Sequence, residues 1–213
     1  MILRARASNA QAYGAHSRPV GAVAAKLEPK SRLSAADWEQ AALDTIAESG
    51  LGAVNVESLA RRLGVTKGSF YWHFPTREAL IKAALERWER KDEEDVIVQV
   101  EPIADPRQRL RDLFHRVSRE MQSHVIYATL MQSLDNALVR PVMARVSQRR
   151  LDVLTLAYRQ AGFDRREAGY RARLAYSAYT GFLQLSLQPS LPRLGHDDFE
   201  GYVEHVIKTL VPD

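Results

Sequence analysis

The stretch TKGSFYWHFPTREAL, residues 66–80, concentrates groups that can hydrogen-bond and stack: an ammonium at Lys67, hydroxyls at Thr66, Ser69 and Tyr71, an indole at Trp72 and an imidazole at His73. Rings with polar tips beside a cation suit a DNA groove. Lys67 can reach a phosphate or a guanine edge, and Ser69 can bond a base or a phosphate. Tyr71 and Trp72 offer apolar faces to sugars and thymine methyls, plus one donor each. Gly68 would let the backbone lie close to a duplex, and His73, at the far flank, suits a phosphate better than a base. The competing use for rings is a hydrophobic core, and an aromatic-rich helix taken alone is more often that. FYWHF cannot serve that use with all its members. Successive residues step about 100° around a helix, so Phe70 and Phe74 share a face while Tyr71, Trp72 and His73 fan around the rest. A strand would leave at least two rings exposed.

Positioning such a surface needs a scaffold, and the preceding residues spell one. Ser34 with Asp37 three residues on forms a near capping box before AADWEQAALDTIAES. Trp38, Ala41, Ala42, Leu43 and Ile46 then recur at helical spacing up to Gly50, which predicts a helix over 35–49. Asn55 is a good N-cap for a short second helix whose apolar stripe is Val56, Leu59, Ala60 and Leu63. Gly64 ends that helix, and Thr66 can cap a third only two residues later. Helices joined so tightly must cross steeply, which needs a small side chain at the crossing, and Ala60 supplies it. Ala60, Gly64 and Val65 together read as a helix-turn-helix.

The run from Ala41 to Leu85, above all SLARRLGVTKGSFYWHFPTREAL, resembles the N-terminal DNA-binding domain of the tetracycline-repressor (TetR) family of bacterial transcription regulators. The resemblance implies a cytoplasmic, DNA-binding regulator acting as a homodimer on a palindromic operator, in most cases a repressor released by a small-molecule effector. It places the DNA contacts at Thr66, Lys67, Gly68, Ser69, Tyr71, Trp72 and His73, with a basic phosphate contact at Arg77. Glu57 departs from the pattern, since many relatives carry a basic residue there. An acidic side chain would repel phosphate, so that contact is not carried over.

Beyond residue 76 the chain continues as helices. Thr76 should cap a fourth, and the charged stretch from Glu86 to Asp95 reads as its solvated face. Asp105 and Pro106 start another helix; further ones are expected around 125–134 and over 141–160, the latter closed by Gly162. Asp164 with Glu167 opens one reaching Ser186. Pro189 and Pro192 interrupt, and Asp197 or Asp198 caps the last. No strand is evident, so the fold class is all-α: a helix-turn-helix domain over residues 33–76, then a larger regulatory and dimerisation domain over 77–213.

Two features of that second domain carry expectations. Ala168, Ala172, Ala175, Ala178 and Gly181 permit close helix approach, and the last helix has an apolar stripe of Phe199, Tyr202, Val203, Val206, Ile207 and Leu210. Both could pack only within their own subunit; the family resemblance implies instead a four-helix bundle made by the last two helices of two subunits. Phe114, Tyr127, Met131, Tyr158, Tyr176 and Tyr179 would suit the lining of a pocket for a small amphipathic molecule, with ordinary core tyrosines as the equal alternative.

Other chemistry finds little support. The 213 residues contain no cysteine, so disulfides and thiolate metal sites are excluded. The six histidines form no HExxH pair, and GxSxG, P-loop and GxGxxG patterns are absent. His196-Asp197-Asp198 could be imagined as metal ligands but sits where a helix cap is needed. No cofactor or metal is therefore expected, and no apolar run reaches membrane-spanning length. The rival class is an all-α ligand-binding protein or enzyme without sequence-specific DNA binding; an architectural DNA binder would not need so large a C-terminal half. The net charge of +4 is a property of the tail: residues 1–32 carry six basic side chains against Glu28, leaving −1 for the rest. That segment lacks a hydrophobic period and reads as poorly ordered. It ranks as an inert extension first, a basic arm tracking phosphates second, and a transit peptide last.

Overall fold

A computed structural model describes residues 33–92, 94, 98, 100, 102–119, 121–188, 190 and 194–211, without the side chains of Met121, Gln122 and His196. The readings of residues 1–32 and of Pro189 and Pro192 lie outside the described residues. The described secondary structure is helical throughout: α1 (Ala35–Ser49), α2 (Val56–Leu63), α3 (Lys67–Phe70), α4 (Arg77–Asp92), α5 (Pro106–Arg119), α6 (Met121–Met131), α7 (Val139–Gln160), α8 (Arg165–Ser186) and α9 (His196–Leu210), with a 3-10 turn at Leu51–Ala53. Among them no helix is long and apolar enough to cross a membrane.

Local chemistry explains most of the boundaries. Asp37 Oδ2 accepts both the backbone N–H and the hydroxyl of Ser34, at 2.7 Å each, which fixes the start of α1. Asn55 Oδ1 accepts the Ser58 N–H at 2.8 Å, and Asp164 Oδ1 accepts those of Arg166 and Glu167 at 2.8 and 3.0 Å. Thr76 Oγ1 takes the Ala79 N–H at 3.1 Å to open α4. At the end of α2, Gly64 adopts φ 68°, with Val65 N–H bonded to Ala60 O at 3.0 Å and Gly64 N–H to Arg61 O at 3.2 Å. This paired closure requires a left-handed residue, which a Cβ would penalise.

Helix α6 lies about three residues ahead of the expected 125–134, α7 starts two residues early, and three further boundaries differ for local reasons. Thr66 has the extended conformation of a cap, but its side chain makes no cap bond; its carbonyl accepts the Ser69 N–H at 3.0 Å instead. The regular part of α3 is only four residues, followed by a turn over 71–73 in which Phe70 O accepts from His73 and Phe74 at 2.9 and 3.0 Å. Helix α9 starts ahead of Asp197, capped by Gly195, so both aspartates fall in its first turn, where carboxylates favour the helix dipole.

Packing does not stop at residue 76. Trp38, Ala42, Ile46, Leu59, Phe70 and Phe74 share one continuous core with Leu80, Ile81, Ala84, Leu85 and Trp88 of α4 and with Ile126, Tyr127 and Leu130 of α6. A second cluster, including Leu110, Leu113, Leu154, Tyr158, Ala168, Ala172 and Ile207, joins α5, α7, α8 and α9. The small residues Ala168, Ala172 and Ala175, expected to permit close helix approach either within the subunit or between two, are buried within their own chain. They admit α7 against α8, the more intimate crossing. The outward side of α8 carries Tyr170, Leu174 and Leu185, each more than half exposed.

Candidate DNA interface and ligand cavity

The aromatic run divides as its periodicity requires. Phe70 is fully buried and meets the ring of Trp38 edge-on at 5.3 Å, while Phe74 is 7% exposed and lies 5.9 Å from Phe70. Tyr71 and Trp72 are left 57% and 89% exposed. An indole this exposed forfeits the burial that normally stabilises it by about 2 kcal/mol or more. Thr66, Lys67 and Gly68 are exposed beside it, with Ser69 and His73 half-buried. A Cβ built on Gly68 would meet only Thr66 Oγ1, at 3.7 Å, so nothing within the chain demands glycine there.

Two charged residues are held differently from the sequence expectation. Lys67 Nζ lies 2.7 Å from Glu57 Oε1, so the acidic departure at the start of α2 is matched by the cation at the start of α3. The Lys67 hydrogen bond and charge hold the Glu57 carboxyl below its usual range. Arg77 turns back onto its own fold, its guanidinium donating to the carbonyls of Val54 at 2.5 Å and Leu51 at 3.1 Å. Its first role is to clamp the 3-10 turn against α4.

At the other end of α4 lies a cavity of about 90 Å³ between α4, α5, α6, α7 and α8. Phe114, Tyr176 and Tyr179 line it, as do Leu113, Val117, Val153 and Leu154. Of the other expected residues, Tyr127 stands behind the wall, its ring 5.9 Å from that of Tyr179 and its hydroxyl hydrogen-bonded to that of Tyr176. Met131 packs beside the first core cluster. Tyr158 is fully buried and donates to Leu210 O at 3.0 Å, an ordinary core tyrosine.

The polar part of the cavity was missed in the sequence. Asp92, Ser123, His124 and Arg150 also line it. Arg150 donates to Asp92 through Nη2 at 2.7 Å and Nε at 3.3 Å. Asp92 also accepts from Ser123 Oγ at 2.9 Å, and Ser123 Oγ accepts from Trp88 Nε1 at 3.2 Å. The guanidinium carbon sits 4.5 Å from the ring centre of Tyr127 and 5.3 Å from that of Tyr179. Burial, helped by the Arg150 charge, depresses His124 to about 4, so it is neutral at physiological pH. Burial pushes the Tyr179 phenol up to about 12. Asp92 is no part of a solvated face: with a relative exposure of 9%, it is the last residue of α4 and continues the buried stripe of Leu85 and Trp88 at i+7 and i+4. Arg150 likewise follows Met143 and Val146 at i+7 and i+4 on α7. That register was the available signal, masked by the surrounding charges.

Comparison with known proteins agrees with this architecture. Residues 40–84 match the family described as bacterial regulatory proteins, tetR family. The tetracycline repressor protein class A from transposon 1721 of Escherichia coli is 38% identical over 61 residues, 29% of this chain and 26% of that repressor, so the alignment spans about a quarter of the relative's length. A transcriptional regulator from Saccharomonospora viridis in complex with choline superposes with a TM-score of 0.71 at 17% identity, covering 82% of this chain and 95% of the other. AibR in complex with isovaleryl coenzyme A and operator DNA gives 0.63 at 19% identity, covering 84% and 98%. Likenesses at these identities establish the fold, and residues 40–84 are similar in sequence to the tetR family of bacterial regulatory proteins.

Proposed function

We propose that the chain is a ligand-responsive transcriptional regulator of the bacterial cytoplasm rather than an enzyme, and that it represses by binding a palindromic operator as a homodimer until a small molecule releases it. The observation that carries the reading is the pair of exposed rings, Tyr71 and Trp72, presented by a helix-turn-helix whose inner face is closed by Phe70 and Phe74. Thr66, Lys67, Gly68, Ser69 and His73 complete the DNA surface. Arg77 contributes chiefly by holding the turn beneath it. The similarity to regulators solved with operator DNA or with small molecules supports both halves of the proposal.

The dimer would form through α8 and α9, where Leu174 and Leu185 offer apolar surface outside both packed clusters of the described residues, beside Tyr170, whose exposed ring is met only by Arg166 of its own helix. Two-fold symmetry would then place two reading heads on successive major grooves. Coupling has a physical route, because α4 carries Leu80, Ile81 and Leu85 in the core shared with the DNA-binding helices and ends at Asp92 in the cavity wall. A ligand that shifts Arg150 or Asp92 would move α4 and change the separation of the heads. The effector must bind the DNA-free form more tightly, and the operator must weaken the effector by the same factor.

Selection of duplexes from a random-sequence pool tests the reading. An imperfect palindrome should emerge, and Tyr71→Ala should bind it more weakly by about 1–3 kcal/mol with unchanged folding. A pool that shows no sequence enrichment rejects the regulator reading.

A further inference from the structure

The cavity's polar atoms specify the chemistry of its ligand more closely than its shape does. Its walls are apolar apart from one end, where Asp92, Ser123, His124, Arg150 and Tyr179 meet. At that end the charges already cancel, because the Arg150 guanidinium is doubly hydrogen-bonded to the Asp92 carboxylate and His124 is neutral. Two buried atoms are left over: Arg150 Nη1 and the Tyr179 hydroxyl have no hydrogen-bond partner among the described residues. The Arg150 guanidinium lies 5.3 Å from the Tyr179 ring centre and close enough to the hydroxyl to favour its ionised form, but no hydrogen bond of ordinary geometry joins the two. Both can donate, and a buried donor left without a partner is destabilising. The hydroxyls of Tyr127, Tyr176 and Ser147 raise no further demand, since they bond to one another.

Resting on the ligand-responsive reading above, we propose that the cavity takes an uncharged, largely apolar molecule bearing a carbonyl-type oxygen that accepts from Arg150 Nη1 and the Tyr179 hydroxyl. An anion is disfavoured because Asp92 has already neutralised Arg150 and would face the incoming charge in a poorly solvated site. A cation is disfavoured because the faces of Tyr127 and Tyr179, which could otherwise hold an ammonium, hold the guanidinium of Arg150. The compact volume, below the roughly 150 Å³ of a cavity known to take benzene, sets one ring or a short chain as the upper limit of size.

Four probes of one ring size test this by calorimetry on the full-length chain without DNA: acetophenone, benzoate, benzylammonium and ethylbenzene. Acetophenone should bind at least about tenfold more tightly than either ion, and roughly threefold to tenfold more tightly than ethylbenzene, for the bonds its oxygen makes. Tyr179→Phe should reduce that advantage over ethylbenzene while leaving ethylbenzene itself unchanged. Asp92→Asn, which leaves Arg150 uncompensated, should turn the order toward benzoate. Benzoate or benzylammonium equalling acetophenone in the unaltered chain overturns the proposal, as does the absence of saturable binding by any probe. Operator affinity measured on the same samples separates the two readings. Acetophenone that saturates the cavity without altering affinity for the selected duplex defeats the regulatory reading and leaves this one standing. Release of the duplex by benzoate bound in the cavity does the reverse.

Discussion

Glu57 and Lys67 form an ion pair across the turn of the helix-turn-helix, 2.7 Å from carboxylate to ammonium, with both side chains at least half exposed. The pair contributes little to the fold, because exposed ions are well solvated apart. Its consequence lies at the proposed DNA surface, where a lysine shared with a carboxylate would bring no net charge to a phosphate. Replacing Glu57 by Gln should therefore leave Tm unchanged and raise affinity for duplex DNA about threefold or more at low salt. The slope of log K against log salt should steepen by about one counterion. Titration at several ionic strengths checks this, and an unchanged slope would mean that Lys67 does not face phosphate.

Gly68 offers a test that separates folding from recognition. Nothing within the chain crowds its Cβ position, and alanine at an unstrained helical site stabilises by about 0.5–1 kcal/mol. Gly68→Ala should thus melt at the same or a higher temperature. If the backbone approaches the duplex there, operator affinity should fall about tenfold or more, since even one added methyl group must be accommodated. Calorimetric melting and gel shift on one preparation give both numbers. Trp72→Ala should behave alike, losing DNA affinity at constant Tm, whereas Phe70→Ala would cost about 3–5 kcal/mol of stability and say nothing about recognition.

His124 predicts a pH dependence of folding. Its pKa is about 4 in the folded chain against the ordinary value of 6.5, so the unfolded chain binds the proton more readily. The stability this neutral histidine permits is fully present above pH 6.5 and declines as pH falls toward 4, by about 2 kcal/mol at pH 5. The charged groups facing it are Arg150, which adds to the depression, and Asp92, which opposes it. His124→Gln should flatten the fall in Tm between pH 7 and pH 5 relative to the unaltered chain; parallel curves would show that the ring is reached by water.

Much of the fold was legible because its signals are local. Asn55, Asp164 and the Ser34–Asp37 box each satisfy orphan N–H groups within three residues, and the left-handed Gly64 closes α2 without help from afar. The split of FYWHF into two buried and two exposed aromatic rings followed from the helical step alone. The cavity was less legible because its polarity is set by pairing across distance. Asp92 and Arg150 are 58 residues apart, and each looks solvated beside its charged neighbours until the partner is known. The tyrosines were ambiguous for the same reason. Tyr158 and Tyr179 sit on similar helices, and only the presence of Leu210 O near one hydroxyl, with no acceptor or donor at the other, distinguishes a core residue from a cavity residue.

Ser123 is the residue whose removal should separate binding from response. Its hydroxyl accepts from Trp88 and donates to Asp92, thereby joining two residues of α4 to α6 at the point where Asp92 also holds Arg150. Trp88 belongs to the core that continues to Phe70 and Phe74 behind the exposed rings. A ligand bonded to Arg150 has a direct route to that core if a change in the guanidinium is transmitted to Asp92 and then to the backbone of α4. Ser123→Ala would leave Arg150 Nη1 and the Tyr179 hydroxyl in place, so acetophenone should bind with an affinity within about threefold of the unaltered chain. The end of α4, held by one bond fewer, should follow the guanidinium less faithfully. Coupling is read as the ratio of ligand affinities with and without the selected duplex, and by linkage the same ratio must appear in duplex affinity with and without ligand. That ratio should move toward one in Ser123→Ala, while the affinity of the ligand-free protein for the duplex stays within about threefold. Loss of ligand binding in step with the ratio would place Ser123 in the binding site alone, and an unchanged ratio would show that the signal reaches α4 by another contact.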